Sequence, residues 1–93
     1  MKTLPPAVSA YKRTPEFTET TVPNGLLKDH TTKEGVWGKI VVLEGELEYV
    51  IQEPELEVVQ LTPDFFGVVE PTVRHHVKPS GKVRFYVEFY SKQ

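Results

Sequence analysis

The stretch from Leu26 to Tyr49, LLKDHTTKEGVWGKIVVLEGELEY, decides the fold class. A histidine, a polar loop and a Trp-Gly pair precede an apolar run that meets Glu44-Gly45 and resumes with Leu47, Tyr49 and Ile51 at alternate positions. Apolar residues at every second position mark a β-strand with one buried face. Glycine accepts the positive φ of a tight loop between twisted strands, so Glu44-Gly45 predicts a hairpin turn.

Outward from this hairpin the same grammar repeats. Pro23-Asn24-Gly25 is a turn signal, and Leu26 to His30 is expected to be a short strand with Leu26, Lys28 and His30 on one side. On the other flank, Leu56 to Leu61 resumes the alternation after Gln52-Glu53-Pro54. Thr62-Pro63-Asp64, Pro71 to Arg74 and Pro79-Ser80-Gly81 then separate strands at Phe66 to Glu70, His75 to Lys78 and Val83 to Tyr90. Turns at roughly 8–12-residue intervals predict an all-β sandwich or barrel. No apolar series of helical period survives the prolines and β-branched runs. Before the hairpin, Lys12 to Val22 reads as an edge strand and loop, and Pro5-Pro6 makes residues 1–11 an extended arm.

Length and composition narrow the function classes. Ninety-three residues suffice for one core, so a single domain spanning 1–93 is expected. A net charge of −2 with no basic run leaves neither a nucleic-acid footprint nor a polybasic membrane patch. No segment approaches the ~18 apolar residues of a membrane-spanning helix, and the amino terminus lacks the apolar run of a signal peptide. The absence of cysteine excludes a disulfide framework and thiolate chemistry within the chain. The expectation is a soluble cytoplasmic protein. Its Pro-rich arm and open strand edges predict a homodimer.

Three histidines form the only cluster with ligand character. In His75-His76-Val77-Lys78, alternation places His75 with Val77 on the inner face and His76 with Lys78 outside. His30 shares its side with Leu26, and two histidines at turn ends can converge at one mouth of a β fold. Neutral imidazoles suit Zn, Fe, Mn, Ni or Cu, but two hold a divalent metal weakly without carboxylates. Glu70, just before Pro71, and Glu88, beside Tyr86 and Tyr90 in the last strand, are the candidates to complete such a site. An Arg84–Glu88 pair on an exposed strand is the competing reading of Glu88. The other acids alternate with apolar residues as solvated faces, and Trp37 reads as core or interface filler.

These residues give the chain its resemblance to a known family. Tyr11 to Pro15, Val22-Pro23, Gly25 to Leu27, His30 to Lys33, Gly35 to Gly38, Val42 to Gly45, Val69 to Pro71, His75 and Phe85 to Tyr90 resemble the small cupin-like domain of TehB-like tellurite-resistance proteins. That resemblance implies a double-stranded β-helix, or jelly roll, with a metal site at one mouth. His30 and His75 match two of the four ligands that metal-binding cupins use; Thr32 and Gly38 stand near the other two. In longer members a methyltransferase domain follows, and these residues carry no nucleotide-binding fingerprint.

Three functions are therefore expected to compete. One is a cupin module that binds a divalent metal and a small ligand or oxyanion in a tellurite or stress response. Another is a metal-dependent oxygenase or isomerase, which needs a third protein ligand and a buried acid or base. The third is a non-catalytic β-sandwich for dimerisation or partner binding.

Overall fold

The computed structural model describes residues 1–92 and is built on two long strands. Strand β3 (Trp37–Ile51) and strand β6 (His75–Lys92) pair antiparallel along almost their whole lengths, from Trp37 opposite Tyr90 to Ile51 opposite His75. The shorter strands border this ribbon. On the far edge of β6 lie β1 (Val8–Arg13) and β2 (Phe17–Thr18); on the far edge of β3 lie β4 (Glu57–Leu61) and β5 (Gly67–Val69). The chain is thus all-β, one six-stranded antiparallel sheet in the order β1-β6-β3-β4, with β2 added to β6 and β5 to β3. Among the described residues it does not close into a barrel.

The expected turn at Glu44-Gly45 is not a turn. Gly45 adopts φ +78° inside β3, and the register slips on either side of it, between Val42 and Glu44 and between Gly45 and Leu47. This is a bulge, and glycine is needed because a Cβ at Gly45 would lie 2.2 Å from the Lys82 carbonyl oxygen. The bulge also reverses parity. Gly38, Ile40 and Val42 are buried before it, whereas Leu47 and Tyr49 are buried after it. A slip by one residue turns every later side chain to the other face, so the bulge keeps both halves of β3 apolar side inward. The predicted turn at Pro79-Ser80-Gly81 likewise lies within β6.

Two further expectations change. Leu26 to His30 is not a strand: Asn24–Leu27 forms a short 3-10 helix, and His30 makes only an isolated bridge to His75. The arm becomes sheet from Val8 onward, where Val8 pairs with Lys92 on β6. The edge strand before Pro23 is present as β2, and the strands expected around Leu56 to Leu61 and Phe66 to Glu70 are β4 and β5. No helix among the described residues is long and apolar enough to cross a membrane.

The core is one cluster built from the buried faces of β3 and β6 with side chains of β4 and β5. Tyr49, Phe85, Ile40, Leu47, Leu61 and Val69 are its largest fully buried side chains. Phe17 from β2 packs edge-on against Phe85, with ring centroids 5.7 Å apart. Tyr49 buries its hydroxyl too, donating to the Val68 carbonyl oxygen at 2.9 Å, which removes the cost of an unpaired polar group.

Candidate functional site

Backbone geometry brings His30 to His75. The His30 amide donates to the His75 carbonyl at 2.8 Å and the His75 amide donates back at 3.0 Å. The two rings stand edge-to-face with centroids 5.1 Å apart, and His30 Nδ1 lies 3.3 Å from His75 Nε2. On its other side His75 Nδ1 donates to the Val73 carbonyl at 3.1 Å, while the Tyr49 ring packs against it at 5.8 Å. His75 is 3% exposed. Burial pushes the pKa of both His30 and His75 down; for His75 the Val73 hydrogen bond acts in the opposite direction, and His30 and His76 reinforce the fall. Both rings are accordingly neutral near pH 7.

Beside the pair is an apolar cavity of about 220 Å³. β3 contributes Gly38 and Ile40, β5 Val69, and β6 His75, Val77, Val87 and Phe89; Phe17 and the irregular segment from Pro23 to Thr32 cover it. Thr32 and Gly38, which stand near the remaining cupin ligand positions, are both in this wall. The departure from the metal-binding pattern therefore has a structural consequence. Where two more ligands would project, there is a glycine and a threonine whose hydroxyl is already committed to the Val36 carbonyl at 2.7 Å.

The other predicted site residues lie elsewhere. Glu88 is on the outward face of β6, opposite in parity to Val87, and accepts a hydrogen bond at 2.7 Å from the Tyr90 hydroxyl, whose pKa is pushed up to about 12 mainly by that bond. Arg84 pairs with Glu16 and Glu44, not with Glu88. Glu70 follows β5 and borders a separate cleft with Met1, Lys2, Ile51 and Glu53. His76 is half-buried on the outer face and hydrogen-bonds Gln52 Oε1 at 3.0 Å. Among the described residues no three His, Cys, Asp or Glu side chains gather where an ion could be held. Sequence reasoning missed Phe17, Leu26, Val69, Val87 and Phe89 as cavity wall. Their signal was alternation within strands, which marks them apolar and inward without saying that space is left between them.

The fold and site define a small antiparallel β domain with an apolar cavity closed at one side by an imidazole pair. The chain matches the TehB-like domain over residues 12–87 and belongs to that family. It is 32% identical, over 88 residues, to the probable S-adenosyl-L-methionine-dependent methyltransferase TehB of Haemophilus influenzae strain KW20, covering 89% of this chain and 31% of that protein. The protein of the same name from strain 10810 gives the same identity and coverage. The chain thus spans about a third of the length of the curated relatives it matches. Among solved structures, a protein from Escherichia coli K12 superposes with a TM-score of 0.87 at 22% identity, covering 100% of this chain and 99% of that one. The crystal structure of TehB from H. influenzae superposes with a TM-score of 0.84 at 28% identity over 94% of this chain and 32% of that one.

These findings overturn the expectation of a divalent-metal module with His30, His75, Glu70 and Glu88 as ligands. The relatives are named for S-adenosylmethionine rather than a metal. The donor set that the metal reading required is dispersed over three parts of the molecule because strand parity turns Glu88 outward and the turn after β5 carries Glu70 to another cleft.

Proposed function

We propose that the chain serves S-adenosylmethionine-dependent methyl transfer of the TehB kind as a substrate-side β domain, holding a small, uncharged, mostly apolar molecule in the cavity beside His30 and His75. The observation that carries this reading is the cavity itself: a wall of aliphatic and aromatic carbon with two neutral imidazoles at one side. Small-molecule sites combine such a wall with a few placed polar groups. The cofactor of the relatives does not fit here. No carboxylate in the wall can take ribose hydroxyls, no glycine-rich strand-to-helix turn approaches it, and about 220 Å³ falls short of the roughly 300–1,000 Å³ of pockets for drug-sized ligands. The domain's part is then to bind and shield, with the cofactor held outside these residues. In this reading residues 1–93 act as one domain, and the long, bulged β3–β6 pair with short strands on both edges supports a jelly roll of the cupin type.

A chimera tests it. H. influenzae TehB carrying this chain in place of its matching segment is expected to transfer labelled methyl groups from S-adenosylmethionine. Filling the cavity by Val77→Phe in that chimera should lower turnover about tenfold, a barrier change of about 1.4 kcal/mol, with an unchanged melting temperature as the folding control. Full turnover in the filled, folded chimera rejects the proposal, as does tight binding of S-adenosylmethionine to the 93 residues alone by calorimetry.

A further inference from the structure

We propose that the cavity selects a neutral molecule bearing one hydrogen-bond donor, an O–H or N–H on a small apolar body, and that His30 Nε2 is the atom that accepts from it. The inference rests on the cavity being a ligand site, as above, and adds the chemistry by which it chooses.

The choice follows from one backbone carbonyl. A carbonyl oxygen can only accept, so His75 Nδ1, 3.1 Å from Val73 O, carries a hydrogen. A neutral His75 then has its lone pair on Nε2. His30 Nδ1, 3.3 Å from that lone pair, must supply the next hydrogen. Neutral His30 is left with its lone pair on Nε2. No partner for that atom is found among the described residues, and no buried side-chain polar atom there lacks one, so Nε2 keeps accessible surface; His30 itself stands between the cavity and an open groove beside Tyr11 and Lys33. The Val73 carbonyl thus sets the tautomer of two rings in series.

The remaining polar side chains of the wall sharpen the selection. They are Thr14 and Thr32. The Thr32 hydroxyl donates to Val36 O at 2.7 Å; the Thr14 hydroxyl donates to Pro15 O at 2.9 Å and accepts from the Val87 amide at 3.0 Å. Every side-chain hydrogen in the wall is therefore spent, and only acceptor positions remain: His30 Nε2 and the unused hydroxyl lone pairs of Thr14 and Thr32. A molecule that brings only acceptors leaves them unpaired, a charged molecule loses its hydration, and a neutral donor satisfies both constraints.

Phenol and toluene form the test pair, because a hydroxyl replaces a methyl of similar size and an apolar cavity of about 150 Å³ already admits benzene. In titrations followed by amide ¹H–¹⁵N shifts at pH 7.5, phenol should bind at least as tightly as toluene. His30→Phe should weaken phenol about tenfold while leaving toluene within about twofold, since an unmade hydrogen bond penalises only the hydroxyl. Toluene binding with phenol tenfold weaker in the native protein overturns the inference but leaves the cavity a ligand site. Failure of both probes to bind overturns the cavity reading as well. Long-range ¹H–¹⁵N spectra of the native protein give a check that needs neither ligand nor variant: the hydrogen is expected on Nδ1 of both rings, and its presence on His30 Nε2 overturns the assignment.

Discussion

Strands β3 and β6 line two neighbouring spaces with the same kinds of side chain, and only one of those spaces is filled. On one side Leu47, Tyr49 and Leu61 are at most 1% exposed, and Gly67 lets them press against the backbone of the β5 edge: a Cβ there would sit 2.9 Å from Leu61 and 3.2 Å from Tyr49. On the other side Ile40, Val69, Val77 and Val87 face the cavity. The difference lies in the cover. Strand β4 hydrogen-bonds to β3 beside Leu47 and Tyr49 and sets Leu61 opposite Leu47, whereas the cavity, whose wall includes Val69 of β5, is roofed by the 3-10 turn and the loop to Thr32. An irregular roof supplies fewer interlocking side chains, so space remains where the imidazoles stand.

Substitutions on the two sides should separate them sharply. Phe85→Ala, in the sealed core, is expected to cost about 4 kcal/mol in urea unfolding through lost burial and the cavity left behind. A cost below about 1 kcal/mol there breaks the contrast. Gly67→Ala should cost about 2 kcal/mol by overpacking. Gly25→Ala, on the roof with open space around its Cβ, should change stability by less than about 0.5 kcal/mol. Equal effects at the two glycines mean that the roof is as tightly packed as the core. Leu26→Ala, at a half-buried position of the roof, should cost about 1 kcal/mol while admitting larger probes into the cavity.

The smallest effect is a pH slope carried by the cavity side alone. His30 and His75 have folded-state pKa values below the unfolded value, so the unfolded chain binds more protons between the two. Stability should be flat above about pH 7.5 and fall as pH drops through ~6.5 towards the folded-state values. Phe substitution of both rings should flatten that slope. A melting temperature that rises on acidification from pH 7 to pH 6 contradicts the burial of the pair.

Much of this was legible before the structure. Alternation in His75-His76-Val77-Lys78 placed His75 inside and His76 outside because a strand's side chains strictly alternate. Alternation around Val87 equally puts Glu88 outside, on the same face as Tyr86 and Tyr90. Glu44-Gly45 carries the signal of a turn yet forms a bulge, because a glycine with positive φ serves a hairpin loop and a bulge equally well. Leu26 to His30 carries the pattern of a short strand, but Leu26 and Leu27 belong to the 3-10 helix and His30 alone reaches the sheet, by an isolated bridge that local period does not reveal.

By itself, then, the sequence determined the all-β class, the inward set of β6 and the place of His75 in that set, since these depend on local period and residue chemistry. Only the tertiary structure decided that β3 runs through its bulge instead of turning, that the His30 and His75 backbones bridge across 45 residues, and that Val73 O sets their tautomers. Those are contacts between segments distant in the chain, and a packing void is a property of neither segment alone.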